Sequence, residues 1–283
     1  MPHEQHGGRL VSSVAFTLRT PRIVAARKLR RRRERDAAGR FLAEGPQAVR
    51  EALAAGRARE LFVTADALAR QRELVNAADA AAVPVSSVAD DVIEALAETV
   101  APQGVVAVCD RVDVPFAQAL GARPRLVVLL VDIRDPGNAG TVLRTADAAG
   151  ADAVIFVGDT VDPYNGKCVR ASAGSLFHVP VAREHDPMTV VAALGRRGVR
   201  VLAASGYGDQ DLTTLAAAGG LVVPTAWAFG SEAHGLPAEV MSAAAATVRV
   251  PVYGRAESLN LAAAAAVCLY ASASAQADAA PQR

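Results

Sequence analysis

Apolar and polar positions alternate in blocks along the chain, and the blocks predict two successive α/β units. In the first, Phe41 to Glu44 reads as a short strand. Pro46 stands where a helix begins, with Val49, Leu53 and Ala54 at helical spacing and Gly56 as a stop. A strand over 60–64, a helix over 66–80, the strand VPVSSV, a helix over 89–98 and the strand GVVAVCD follow. The connector VPFAQALGARP leads to the second unit. There the pattern predicts strands at 126–132, 153–157, 177–181, 199–203, 225–229 and 247–251. Helices are expected near 139–149, 166–174, 187–197, 210–217 and 258–272. The runs LVVLLV, AVIFVG and VRVLAA are nearly continuous, as in parallel strands covered by helices on both faces.

These blocks give a domain plan. Residues 1–20 and 274–283 read as flexible tails and 21–110 as a first domain opening on a basic segment. Residues 111–124 read as a linker and 125–273 as the second domain. Composition agrees: a chain of 283 residues, 52% hydrophobic and 21% charged, supports an ordinary core. The N-terminus lacks an apolar signal segment, and the longest apolar stretch, Leu261 to Ala271, is too short for a bilayer. Three widely separated cysteines suggest neither a disulfide framework nor a zinc site. A cytoplasmic protein without a membrane partner is expected.

Net charge is only +1, but its distribution is uneven. Between Arg22 and Arg35 lie eight basic residues against one acid, Glu34. A solvated helix face is the ordinary reading of such a run. Guanidinium forks, however, match phosphate geometry, so Arg22, Arg27, Lys28, Arg30, Arg31, Arg32 and Arg33 are candidate contacts for RNA or another polyanion.

Three segments at predicted strand ends carry candidate chemistry. The first, IRDPGNAGTVLRTADAAG, contains Asn138, Gly140 and Arg144, the last interrupting an apolar helix pattern. The second, AFGSEAHGLP, contains Gly230 and Glu232; the third, VRVPVYGRAESLNLAAAAA, contains Val250, Ser258, Leu259 and Asn260. Each has a structural reading: Asn138 or Ser258 capping a helix, Arg144 pairing with Asp147, glycines making turns. Together they stand at strand ends, where open α/β sheets bind ligands. No P-loop, dinucleotide fingerprint, nucleophile elbow or zinc spacing is present, so nucleotide hydrolysis, acyl transfer and dinucleotide binding are disfavoured, and no metal is expected.

DPGNAGTVLRTADAAG, FGSEAHGLP and VPVYGRAESLNLAAAAAV resemble, in order, the three motifs of the SpoU (TrmH) family of RNA ribose 2′-O-methyltransferases within the SPOUT superfamily. The likeness covers about 124–273 and extends to the thiostrepton-resistance type of 23S rRNA methyltransferase. Residues 37–108 are similar to the small L7Ae/L30e-like α/β substrate-binding domain that often precedes this catalytic domain. The resemblance implies an α/β-knot domain with a deep trefoil knot, S-adenosyl-L-methionine as cofactor, a homodimer formed through the knot domain, and RNA as substrate, with rRNA favoured over tRNA. By position, Gly230, Val250 and Leu259, with Ser205 and Gly206 of the preceding AASG, match the cofactor contacts. Arg144 matches the catalytic arginine, with Asn138, Glu232, Ser258 and Asn260 as the polar residues around it. The alternatives are a tRNA ribose 2′-O-methyltransferase or a non-catalytic RNA-binding or ribosome-assembly factor on the same fold.

Overall fold

The computed structural model describes residues 16–279. In chain order the elements begin with α1 (Pro21–Lys28), α2 (Arg32–Ala38), β1 (Arg40–Glu44), α3 (Pro46–Ala54) and β2 (Ala58–Thr64). Then come α4 (Ala65–Arg70), α5 (Arg72–Ala80), β3 (Val85–Val88), α6 (Asp90–Leu96) and β4 (Val105–Asp110). The chain continues through α7 (Phe116–Ala119), β5 (Leu126–Val131), α8 (Pro136–Ala148), β6 (Ala153–Val157), α9 (Gly166–Ala171), β7 (Val181–Glu184) and α10 (Pro187–Arg196). It closes with β8 (Arg200–Ala204), β9 (Gln210–Asp211), α11 (Leu212–Ala217), β10 (Thr225–Phe229), α12 (Ala238–Ala243), β11 (Ala246–Arg249) and α13 (Leu261–Asp278). Two compact units result. Residues up to Arg111 form the first together with Tyr164–Phe177; Val112–Pro163 and the chain from His178 onward form the second.

Among the described residues, the first unit builds a four-stranded sheet in the order β1-β4-β2-β3. It is antiparallel except for the parallel β2–β3 pair. Ile23, Ala26 and Leu29 from α1 and its C-terminal turn join Phe62, Val92, Ile93, Leu96 and Val106 in one core, so this part of the basic segment is anchored. Phe16 is also buried there and bridges to Val88, so residue 16 of the expected N-terminal tail is packed; residues 1–15 lie outside the described residues. The single helix expected over 66–80 is two helices, because Gln71 leaves helical backbone (φ −110°, ψ 44°).

The segment Tyr164–Phe177 completes this unit. Phe41 of β1, fully buried, packs at a tilt against Tyr164 (centroids 4.7 Å apart) and stacks with Phe177 (6.0 Å). The guanidinium of Arg111 lies 5.1 Å from the Tyr164 ring centroid, a cation–π contact. Arg170 of α9 donates to Glu44 at 2.9 Å. Ser175–Phe177 is a 3₁₀ turn, which delays the strand expected at 177–181 until Val181.

The second unit holds a seven-stranded sheet in the order β7-β6-β5-β10-β8-β11-β9, and every pairing in it is parallel. Side chains alternate between faces along each strand. Ala226 and Ala228 therefore join a core with Ala119, Leu120, Val190, Leu194 and Val240 of the α7 region, α10 and α12. Trp227, between them, points the other way and donates its indole N–H to Ser272 of α13 at 2.8 Å. Helices thus cover both faces, as the apolar strand runs required.

Two boundaries differ from the sequence expectation. The connector 111–124 contains α7, with Ala119 and Leu120 buried, and Val114 donates to Val181 O at 2.9 Å. Helix α13 continues past residue 274 because Gln276 is buried and its amide donates to the carbonyls of Arg125 (3.1 Å) and Val223 (3.2 Å). Residues 280–283 lie outside the described residues. Among those described, no helix is long and apolar enough to cross a membrane.

Candidate active site

In a parallel sheet all strands end at one edge. Starting from β5, the chain adds β6 and β7 on one side and β10, β8 and β11 on the other, so strand order reverses beside β5. Such a switch point leaves a crevice at the carboxyl ends of the strands. The candidate segments leave the sheet there: Asp132 onward from β5, Ser205 from β8, Gly230 from β10 and Val250 from β11.

The joint after β5 is built stepwise. Asp132 takes a left-handed backbone (φ 53°) and accepts the Asp159 N–H at 2.8 Å, fixing the chain as it leaves the strand. Asp135, not Asn138, caps α8, accepting the N–H groups of Gly137 and Asn138, and Pro136 takes the first helical position. With the cap supplied by Asp135, the Asn138 side chain is available elsewhere. Its Nδ2 donates to Glu232 Oε1 at 2.5 Å, and its Oδ1 accepts from Asn260 Nδ2 at 3.2 Å. Asn260 in turn caps α13, accepting from the N–H groups of Ala262 (2.9 Å) and Ala263 (3.4 Å). That role had been open to Ser258, which is exposed. One amide therefore ties together the three motif segments.

Arg144 lies on the same helix as Asn138, exposed rather than interior, and no hydrogen bond or ion pair engages it among the described residues. The Asp147 partner that sequence spacing offered it is taken by His178 Nδ1 at 2.8 Å. The site thus presents an uncommitted guanidinium on α8. Ser258 likewise makes no hydrogen bond among the described residues and stands two residues before the Asn260 cap.

The cofactor candidates occupy two tight crossings. At the first, Ser231 and Gly235 exchange backbone hydrogen bonds (3.1 and 2.8 Å), and a side chain on Gly230 would run into the backbone of Gly235 and Leu236. At the second, the segment from Ser205 to Asp209 is sewn to β11. Ser205 N donates to Val248 O at 3.0 Å, Asp209 N to Thr247 Oγ1 at 3.0 Å, and Arg249 Nη1 to Gly208 O at 2.9 Å. Gly206 and Leu259 are exposed, and Ser205, Gly230 and Val250 half-buried, and the two glycines leave the backbone beside them open to close approach. Such surroundings fit a donor bound by backbone polar groups. Sequence reasoning missed Asp132, Asp135, Thr247 and Arg249. Asp135 was signalled, since an aspartate before Pro-Gly at a strand end marks a helix start. Thr247 and Arg249 had no such signal, because their partners lie about forty residues away in sequence.

The basic candidates are exposed but not equivalent. Arg22 pairs with Glu60, Arg30 donates to Ala95 O at 3.2 Å, and Arg32 lies 3.9 Å from Asp36. Arg27, Lys28, Arg31 and Arg33 engage nothing among the described residues. Arg35, outside the candidate set, is buried and holds the carbonyls of Leu29 (3.0 Å) and Arg30 (2.9 Å).

Fold and site together define an α/β protein whose polar centre is assembled from three sequence-distant loops at a parallel-sheet edge. The model of the SpoU rRNA Methylase family matches residues 125–270, and that of the MRM3-like substrate binding domain matches residues 20–107. The chain belongs to the SpoU rRNA methylase family. It is 34% identical, over 86% of its length and 92% of the relative's, to the 23S rRNA (guanosine(2553)-2′-O)-methyltransferase RlmP of Bacillus subtilis. An AdoMet-bound rRNA methyltransferase from Sinorhizobium meliloti superposes with a TM-score of 0.81 at 32% identity, covering 96% of this chain and 99% of that one. The SpoU methyltransferase AviRb from Streptomyces viridochromogenes, in complex with AdoMet, gives 0.79 at 28% identity, covering 92% and 100%.

Proposed function

We propose that this chain transfers a methyl group from S-adenosyl-L-methionine to a ribose 2′-OH of 23S rRNA, and that Arg144 is its principal catalytic residue. The observation that carries the reading is the Glu232–Asn138–Asn260 junction, which gathers three motif segments beside a helix bearing an uncommitted arginine. Family membership and the named activities of its relatives support it. Bound by backbone groups around Gly230, Val250, Leu259, Ser205 and Gly206, the cofactor supplies a methyl already activated on a sulfonium. The protein's task is then positioning and charge stabilisation. Arg144 grips the phosphate beside the target ribose with two parallel N–H donors and stabilises the developing alkoxide. It stays protonated throughout, since a guanidinium resists deprotonation. Ser258 and Asn260 orient the ribose and phosphate. Glu232, held by Asn138, orders the loop after β10. Holding the hydroxyl in line with the methyl lowers the barrier; the oxygen–carbon bond would form as the methyl–sulfur bond breaks, leaving the demethylated thioether as product, and the hydroxyl proton would pass to solvent water.

The same reading extends to the rest of the molecule. The loops around Gly230 and Val250 form a deep trefoil knot. Val267 and Tyr270 (51% exposed), three residues apart on α13, belong to a homodimer interface. Arg27, Lys28, Arg31 and Arg33 supply sequence-independent phosphate affinity, with Arg22, Arg30 and Arg32 at its margin. The protein works in the cytoplasm.

The test is Arg144→Ala. Methyl incorporation into 23S rRNA should fall by at least about a hundredfold, the size expected when a charge-stabilising donor is lost. Cofactor affinity, read by calorimetry, should stay unchanged. Near-normal transfer would remove Arg144 from the role assigned to it.

A further inference from the structure

The first unit contains a cleft of about 320 Å³ that the site above does not use. Its walls come from the start of α3 (Gly45, Gln47, Ala48), the loop before β4 (Thr99, Ala101, Gln103) and the 164–177 segment (Arg170, Ala173). Glu44 closes one side, and its side chain is only 8% exposed. Its oxygens are consumed by three donors: Thr99 Oγ1 at 2.6 Å, Glu98 N at 3.0 Å and Arg170 Nη1 at 2.9 Å. The cleft therefore presents a neutralised carboxylate rather than a bare one. Arg170 is held in place by the same bonds. Gln103 is exposed, lines the cleft and makes no hydrogen bond among the described residues, so its amide keeps both donor and acceptor free. Gly45, Ala48, Ala101 and Ala173 are small and leave room for a flat group. Arg50 adds a cation beside the cleft, donating to the lining residue Gln47 at 2.7 Å.

A small slot, a fixed guanidinium and a free amide are what an unstacked base needs: a plane to stack on and an edge partner. A duplex offers no such base, because its edges are paired and stacked. We propose that this cleft takes one unpaired, splayed-out nucleotide of the RNA substrate, with the base between Arg170 and the small residues and its edge read by Gln103. This rests on the reading of the chain as an RNA-modifying protein. It assigns to the first unit a base-recognising pocket separate from the basic face of α1 and α2. It also gives the 164–177 segment, which is threaded between β6 and β7 in sequence, a direct part in choosing the RNA.

The experiment uses the full chain and in vitro transcribed 23S rRNA. Gln103→Ala removes the edge partner, and Ala101→Trp fills the slot from an exposed position; neither touches the Glu44 bonds or the catalytic loops. Equilibrium binding to the transcript should weaken by about tenfold in each, the size expected for one lost base contact. S-adenosyl-L-methionine affinity, thermal midpoint and kcat at saturating transcript should hold at wild-type values, so the loss appears in KM. A control replacing Arg27 and Arg31 by alanine should weaken binding and flatten its salt dependence, because fewer counterions are released, whereas the two cleft variants should keep the wild-type salt slope. RNA affinity within twofold of wild type in both cleft variants would overturn the pocket while leaving the methyltransferase reading intact. Wild-type binding that depends on Gln103, with no methyl transfer, would overturn that reading and keep the pocket.

Discussion

At the scale of single residues, the centre depends on an amide that both donates and accepts. Asn138 donates to Glu232 through its nitrogen and accepts from Asn260 at its oxygen, and an amide places donor and acceptor on separate atoms that reach the two partners at once. Asn138→Ala should leave α8 intact, because Asp135 is its cap. It should nevertheless lower kcat/KM for methyl transfer on the order of a hundredfold, since small misplacements of reacting groups are that costly. Transfer of labelled methyl to rRNA measures it, and circular dichroism checks the fold. The cysteines illustrate the opposite case, chemistry suppressed by burial. Desolvation pushes the Cys268 thiol up to about 12 and that of Cys109 further in the same direction. Only a thiolate is an effective nucleophile. Native protein treated with iodoacetamide at mildly alkaline pH should show no adduct on either residue by mass spectrometry, and denatured protein should show both.

At the scale of elements, a buried polar contact from Trp227 Nε1 to Ser272 Oγ helps fasten α13 to the sheet. Ser272→Ala leaves the indole N–H without an acceptor in the interior and should cost about 1–3 kcal/mol. A lower urea midpoint at unchanged slope would register it. The helix caps give the chain an acid limb. Asp211 and Asp186 are held below the ordinary aspartate range, chiefly by the hydroxyls of Thr213 and Thr189, with backbone N–H bonds assisting. A lowered folded pKa means that the stabilisation is present above the unfolded value and is lost as pH falls through the folded one. The thermal midpoint of an Asp211→Asn variant should therefore decline less than that of the wild type on acidification below the normal aspartate range. Calorimetric scans across that window would show equal slopes if the cap contributed nothing.

At the scale of the whole molecule, the first unit is not a contiguous stretch of chain. Tyr164 and Phe177 cover Phe41, and Arg170 bonds Glu44, so residues from the second half of the sequence supply part of its core. A fragment ending at Arg111 lacks all three. It should bind a hydrophobic dye and lose near-ultraviolet circular dichroism, the signs of a core without fixed packing. A cooperative, native-like melt of that fragment would show the 164–177 segment to be dispensable.

How much of this was legible beforehand follows from the range of each interaction. Hydrophobic periodicity reports local burial, so the strands LVVLLV and AVIFVG, the helix from Pro46 and the parallel character of the second sheet could be read directly. The ordered motifs carried the family, because they hold residue types at short spacing. The bonds that make a site of them join residues 94 and 122 positions apart, and no local pattern encodes a partner at that distance. The same holds for Arg249 reaching Gly208 O, for the 164–177 segment packing on β1, and for α13 continuing to Gln276 because two distant carbonyls await its amide. The sequence by itself determined the alternation of strands and helices in the two units and which residue types reach the carboxyl edge of the second sheet. Only the tertiary structure decided which of them meet, because strand order, not spacing along the chain, sets which loops are neighbours.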